Sequence, residues 1–147
     1  MPSFKTLLSW LGFRSTDTDF DGWIARQPLP KVTFPKIIDV ASPPPNESVQ
    51  PDVFYRIMRG EQPKWTMFLC PCGCRSVITL SLQFAHRPHW TVGASKKRRP
   101  SLRPSVWRDI GCLSHFIVED GRIYWCGDTG ISPYDARRRY QILDTKT

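Results

Sequence analysis

The residues with the clearest chemistry are Cys70-Pro71-Cys72-Gly73-Cys74 and, further on, Cys112-Leu113-Ser114-His115. Free cysteine is usually a small buried hydrophobe, and packing gives no reason to cluster three thiols in five residues. A Cys-x-x-His 38 residues after Cys74 completes the pattern of a metal site built from two distant half-sites. Zinc takes such Cys and His donors tetrahedrally. A closed set of four is structural, and a set of three with a water can be catalytic. Cys70, Cys72, Cys74, Cys112 and His115 offer five ligands, so the expectation is one structural Zn2+ per chain. Cys112 and His115 are the firmest pair, with two of the triplet beside them. A disulfide within the triplet and a redox-active thiol cluster are the rival readings.

Cys126 is brought in by a hairpin. Asp120-Gly121 is a preferred two-residue type I′ turn, and it sets Glu119 against Arg122, Val118 against Ile123, Ile117 against Tyr124 and Phe116 against Trp125. One step further, His115 faces Cys126, with Cβ atoms about 4.5–5.5 Å apart. Because five ligands are already available, Cys126 is expected to be a near neighbour of the metal and not a ligand.

Two further groups could bind or react. Lys96, Lys97, Arg98, Arg99, Arg103 and Arg108 place six cations in 13 positions without an acid, which is either a solvated loop or an anion-attracting patch. Pro100-Ser101-Leu102-Arg103-Pro104-Ser105-Val106 repeats Pro-Ser at an interval of four. A proline-bearing edge strand is the plain reading, and presentation of Ser101, Arg103 and Ser105 to a ligand is the sharper one. No general base is tied to either serine by the sequence, so a serine nucleophile is not expected. Signatures of zinc deaminases, phosphate loops, dinucleotide folds and zinc peptidases are absent. His86 and His89 are reserve metal ligands, and no catalytic residue is assigned.

The elements that must position these groups are mostly strands. Alternation runs through Val53, Tyr55 and Ile57, then Trp65, Met67 and Leu69. It continues from Arg75 to Phe84, with Ile78, Leu80, Leu82 and Phe84 inward. The cysteine triplet then occupies a turn between two strands, where Gly73 tolerates unusual backbone angles. Residues 28–51 hold seven of the 14 prolines and read as an extended arm without helix or central strand, regular structure resuming near Val53. Phe4, Leu7, Leu8 and Leu11 share one face of a short amphipathic helix, which either docks on the domain or binds a membrane surface or a partner. A second short helix starts at Ser132-Pro133-Tyr134-Asp135, with a Ser cap and Pro at the first position.

The fold class expected is α+β, mostly β: one small domain of antiparallel strands with short terminal helices, stabilised by the metal. Residues 1–52 form the N-terminal helix and arm, and 53–147 the zinc-binding domain with a basic tail. The chain has 147 residues, 40% hydrophobic and 23% charged, which allows one domain with a modest core. Its net charge of +8 favours anionic partners without naming them. Five cysteines cannot all pair, and no secretory signal or apolar run of about 20 residues is evident. A reducing, cytoplasmic compartment is therefore expected, which favours metal over disulfide.

Taken in order, the triplet Cys70–Cys74, the Pro-Ser-x-x-Pro-Ser-Val stretch, Cys112-x-Ser114-His115-Phe116 and Gly121-Arg122-Ile123-x-Trp125 resemble a bacterial and phage family. It is the domain-of-unknown-function family numbered 6527, and the resemblance covers about residues 53–126. It implies Cys70, Cys72, Cys74, Cys112 and His115 as the metal cluster and does not require a cysteine at 126. It also implies an accessory place beside bacterial ubiquitin-like conjugation components. The function expected is a non-enzymatic zinc-binding module that contacts a protein partner. Nucleic-acid binding through residues 96–108 is the alternative, and a metal-dependent hydrolase the third reading.

Overall fold

The computed structural model describes residues 20–137. The expected helix through Phe4 to Leu11 lies outside the described residues, as does most of the basic tail. A seven-residue helix α1 (Phe20–Arg26) precedes eight strands. They are β1 (Lys36–Val40), β2 (Val53–Arg59), β3 (Gln62–Leu69), β4 (Val77–Ser81), β5 (Thr91–Ala94), β6 (Pro100–Trp107), β7 (His115–Glu119) and β8 (Arg122–Trp125). They form two four-stranded sheets, in the orders β1-β2-β3-β4 and β5-β6-β7-β8. All pairings are antiparallel except β1 with β2, which is parallel. The mostly-β class is as expected.

Alternation explains how the sheets meet. Phe54, Phe68 and Ile78 from the first sheet and Leu102, Val106, Phe116, Val118 and Ile123 from the second are buried in one cluster. Phe54 and Phe68 stack at 4.9 Å, and Phe68 meets Phe116 edge-on at 6.4 Å across the sheets. Each fully buried Phe contributes about 1.5–3 kcal/mol of apolar transfer free energy. Ser105 and His115 precede the core residues Val106 and Phe116 along β6 and β7, while Cys70 belongs to the core cluster itself and Cys112 packs against it.

The proline-rich arm departs from expectation. It carries β1 between Pro35 and Pro43, a stretch free of proline, and a 3-10 turn at Asn46–Ser48. An edge strand is paired on one flank only, so the nearby prolines do not prevent it. Phe34 is fully buried in the core, and the N–H groups of Thr33 and Phe34 donate to the Gly121 carbonyl at 2.8 and 2.9 Å. The arm is thus stitched to the tip of the β7–β8 hairpin. Asp120 and Gly121 both have positive φ, 48° and 69°, as a type I′ turn requires. All four expected cross-strand pairs are present.

The strand expected from Arg75 to Phe84 is shorter. β4 ends at Ser81, Leu82 is half-buried and Phe84 is exposed. The Ser81 carbonyl instead accepts from the Trp90 N–H at 2.8 Å, which turns the chain toward β5. The C-terminal helix begins as expected: residues 133–137 are helical, and Ser132 Oγ accepts from the Tyr134 N–H at 3.3 Å. Among the described residues, no helix is long and apolar enough to cross a membrane.

Candidate active site and thiol cluster

Two groups of reactive side chains flank the start of β7. The first is the thiol cluster. The turn between β3 and β4 presents Cys70, Cys72 and Cys74, and the loop before β7 presents Cys112, with all four Sγ atoms within 4.8 Å of one another. Cys70 Sγ is 3.4 Å from Cys72 Sγ and 3.7 Å from Cys112 Sγ, and none of the thiols is in a disulfide. A tetrahedron with metal–sulfur bonds of about 2.3 Å has edges of about 3.8 Å, so this spacing fits a single ion. The four cysteines could therefore hold a metal.

The surroundings suit thiolates. Ser114 Oγ donates to Cys112 Sγ at 3.2 Å, and Arg108 Nη1 lies 3.7 Å from the sulfurs of both Cys74 and Cys112. Burial opposes ionisation of Cys112, but hydrogen bonds from Ser114, Cys72 and Cys70 bring its thiol down to about 6. Hydrogen bonding to Ser76 lowers Cys74, whereas burial pushes Cys70 up to about 12. A bound cation would compensate the charge that Cys70 resists.

His115 was expected in this cluster and is placed elsewhere. Its imidazole sits between two other side chains: Ser105 Oγ is 2.9 Å from Nε2, and Asp128 Oδ1 is 2.5 Å from Nδ1. An ionised carboxylate only accepts, so Nδ1 carries the proton toward Asp128. In the neutral ring Nε2 is then a free acceptor for the Ser105 hydroxyl. This is the arrangement of a nucleophile, a base and an orienting carboxylate.

Each member is held by local structure. Leu102 pairs with Val118 and Val106 with Phe116, so β6 spends four residues where β7 spends two. Pro104 has no N–H for the ladder, and the strand bulges there. The bulge carries Ser105 toward His115, and Trp90 Nε1 donates to the Ser105 carbonyl at 3.3 Å. Trp107 and His115 are a directly opposed pair, and their rings stack with centroids 4.1 Å apart and planes 1° apart. Asp128 lies in the turn after β8. That turn is pinned by Thr129 Oγ1 accepting from the His115 N–H at 2.9 Å and by the Gly130 N–H on the Leu113 carbonyl at 2.9 Å. His115 is nearly buried, with 11% of its side chain exposed, while Asp128 keeps 32%.

Cys126 is opposite His115 as the hairpin register requires, its N–H donating to the His115 carbonyl at 2.9 Å. It belongs with His115 and Asp128, apart from the four thiols. Three of the six cations of residues 96–108 are engaged with other side chains. Arg99 is 3.5 Å from Asp120, Arg103 bonds Glu119 and Asp21, and Arg108 lies on the thiols, while Lys96, Lys97 and Arg98 are exposed in the β5–β6 turn. A nucleic-acid interface there gains no support. His86 and His89 bond Ser81 and the His86 carbonyl and are not in either ligand group.

Sequence reasoning missed Asp128 and did not bring Ser105 and His115 together. The available signal was the hairpin register, which sets position 126 opposite His115 and so leaves Asp128 only two residues beyond that position. A small β sandwich with a Ser-His-Asp relay beside a four-thiol cluster defines the class. The chain belongs to the family described as Bacterial ubiquitination-like system serine protease (BubE), whose model matches residues 40–126. Ser105, His115 and all five cysteines fall inside that span, and Asp128 lies two residues beyond it. No curated protein and no solved structure matches the chain.

Proposed function

We propose that this chain is a serine protease acting on a polypeptide of a bacterial ubiquitination-like system, either a precursor of the modifier or one of its conjugates. The observation that carries the reading is the continuous contact from Ser105 Oγ through both nitrogens of His115 to Asp128. The family description supplies the bond class and the setting.

In this reading Ser105 Oγ attacks the scissile carbonyl while its proton passes to His115 Nε2. The imidazolium is stabilised by Asp128, which keeps the ring oriented and stays ionised. Nε2 then protonates the leaving amine, an acyl-enzyme remains on Ser105, and water activated by the same nitrogen releases the acid. The expectation of a non-enzymatic module drew on the resemblance, on the absent enzyme signatures and in part on the lack of a base for either serine. With His115 at 2.9 Å from Ser105, that last reason is gone.

The metal keeps a separate role. Cys70, Cys72, Cys74 and Cys112 would hold one Zn2+ with no position open for substrate, so the ion would be structural. Held there, it would tie the β3–β4 turn to the loop that leads into His115. A protein partner follows from the substrate being a polypeptide. The test is labelling of the purified protein by a fluorophosphonate, with mass spectrometry locating the adduct. Modification of Ser105, abolished by Ser105→Ala and by His115→Ala, is expected. A correctly folded protein that is never labelled would overturn the reading.

A further inference from the structure

We propose that His115, Cys126 and Asp128 form a second metal site, at which a zinc ion binds reversibly and shuts the Ser105 centre off. The ligand atoms of these three residues lie within 4.8 Å of one another. Imidazole, thiolate and carboxylate are all zinc donors, and three of them leave a fourth position for water. The β7–β8 register holds Cys126 opposite His115, and the turn after β8 returns Asp128 to the same point. Asp128 is a third exposed, so an ion can reach the group from solvent.

The geometry requires little change. Nδ1 and Oδ1 are 2.5 Å apart, as suits a proton between them. With metal–ligand bonds of about 2.0–2.2 Å, an ion between them needs a separation of about 3.3–3.5 Å. Rotation of the part-exposed carboxylate supplies that. Zinc would displace the Nδ1 proton, which a neutral imidazole then carries on Nε2, and Cys126 would release its thiol proton to solvent. With Nε2 protonated, His115 donates to Ser105 Oγ and can no longer accept from it. The same residue thus serves as base when the metal is absent and is disabled when it is bound.

The regulatory half rests on the serine-protease reading, whereas the metal site stands without it. The test uses the protein with its four-thiol site already loaded, and titrates Zn2+ while following both bound metal and fluorophosphonate labelling. Wild type should bind a second equivalent and lose labelling about tenfold or more, with recovery on adding a mild chelator. Cys126→Ser should label like wild type without added zinc, and should need about tenfold or more additional zinc for inhibition. Co2+ in place of Zn2+ should give a thiolate charge-transfer band that Cys126→Ser lacks. Binding of only one equivalent by wild type, or equal zinc sensitivity of both proteins, would overturn the proposal. Failure to label even without added zinc would overturn the protease reading, and the metal count and cobalt band would then decide the site.

Discussion

The Trp107 indole lies parallel to the His115 imidazole, 1° between planes and 4.1 Å between centroids, because the β6–β7 register sets the two residues directly opposite. The stack closes one face of the base. Hydrogen bonds at Nδ1 and Nε2 fix its edge, so the ring has a single orientation. Trp107 is itself held by donating from Nε1 to the Ile131 carbonyl at 3.0 Å.

Trp107→Ala should therefore slow labelling of Ser105 while Trp107→Phe keeps most of it. An aromatic pair contributes about 0.5–1.5 kcal/mol beyond its buried area, which as a barrier change corresponds to a factor of about 2–13. Labelling rates measured on folded protein check this. Equal rates for Ala and wild type would mean that the two hydrogen bonds orient His115 without help.

Asp128→Asn should preserve the fold and disable the base. The amide can donate to Nδ1, which then accepts, and the proton sits on Nε2 where it blocks transfer from Ser105. A loss of about 10⁴-fold in turnover is expected from the wrong tautomer. Circular dichroism and melting should be nearly unchanged, since Asp128 is partly exposed. A melting point that falls along with activity would mean that the carboxylate mainly holds the turn.

Gly121→Ala should destabilise strongly. Gly121 has φ 69°, and an added Cβ would stand 2.1 Å from the Phe34 carbonyl oxygen, a backbone atom that cannot move aside cheaply. Strain of this kind costs about 1–3 kcal/mol before the clash is counted. The change would also free the arm from the hairpin tip, so limited proteolysis near residues 30–35 should accelerate. Chemical denaturation measures the first effect and cleavage mapping the second.

Local chemistry was legible where the chain makes its own geometry. Asp120-Gly121 fixed every cross-strand pair in its hairpin, and the triplet lay in the turn that alternation assigned to it. What stayed hidden depended on contacts between distant segments. Ser105 meets His115 only because Pro104 interrupts a ladder, and no local pattern states where a bulge points a side chain. The Cys-x-x-His spacing assigns His115 to the metal together with Cys112, whereas the structure groups Cys112 with the triplet and His115 with Ser105 and Asp128. β1 was obscured by surrounding prolines, since its edge position is a tertiary fact. Phe84 continues an apolar alternation, yet β4 has already ended because Trp90 takes the Ser81 carbonyl.

The ligand set of a metal bound at the thiol cluster would separate two interpretations of Cys112-x-x-His115. If spacing rules, His115 is a ligand and its loss removes the ion. If the structural grouping rules, the four sulfurs close around the ion and His115 belongs to Ser105 and Asp128. His115→Ala should then retain one tightly bound zinc and a cooperative melting transition, while abolishing Ser105 labelling. Cys112→Ser should lose the ion, because it removes the one sulfur that joins the triplet to the loop before β7. Binding of a structural zinc is coupled to folding, so this variant should melt earlier, and a strong chelator should lower the wild-type transition in the same way. Elemental analysis beside calorimetry distinguishes the cases. Zinc-free His115→Ala protein would place the histidine in the metal shell and leave Ser105 without its base.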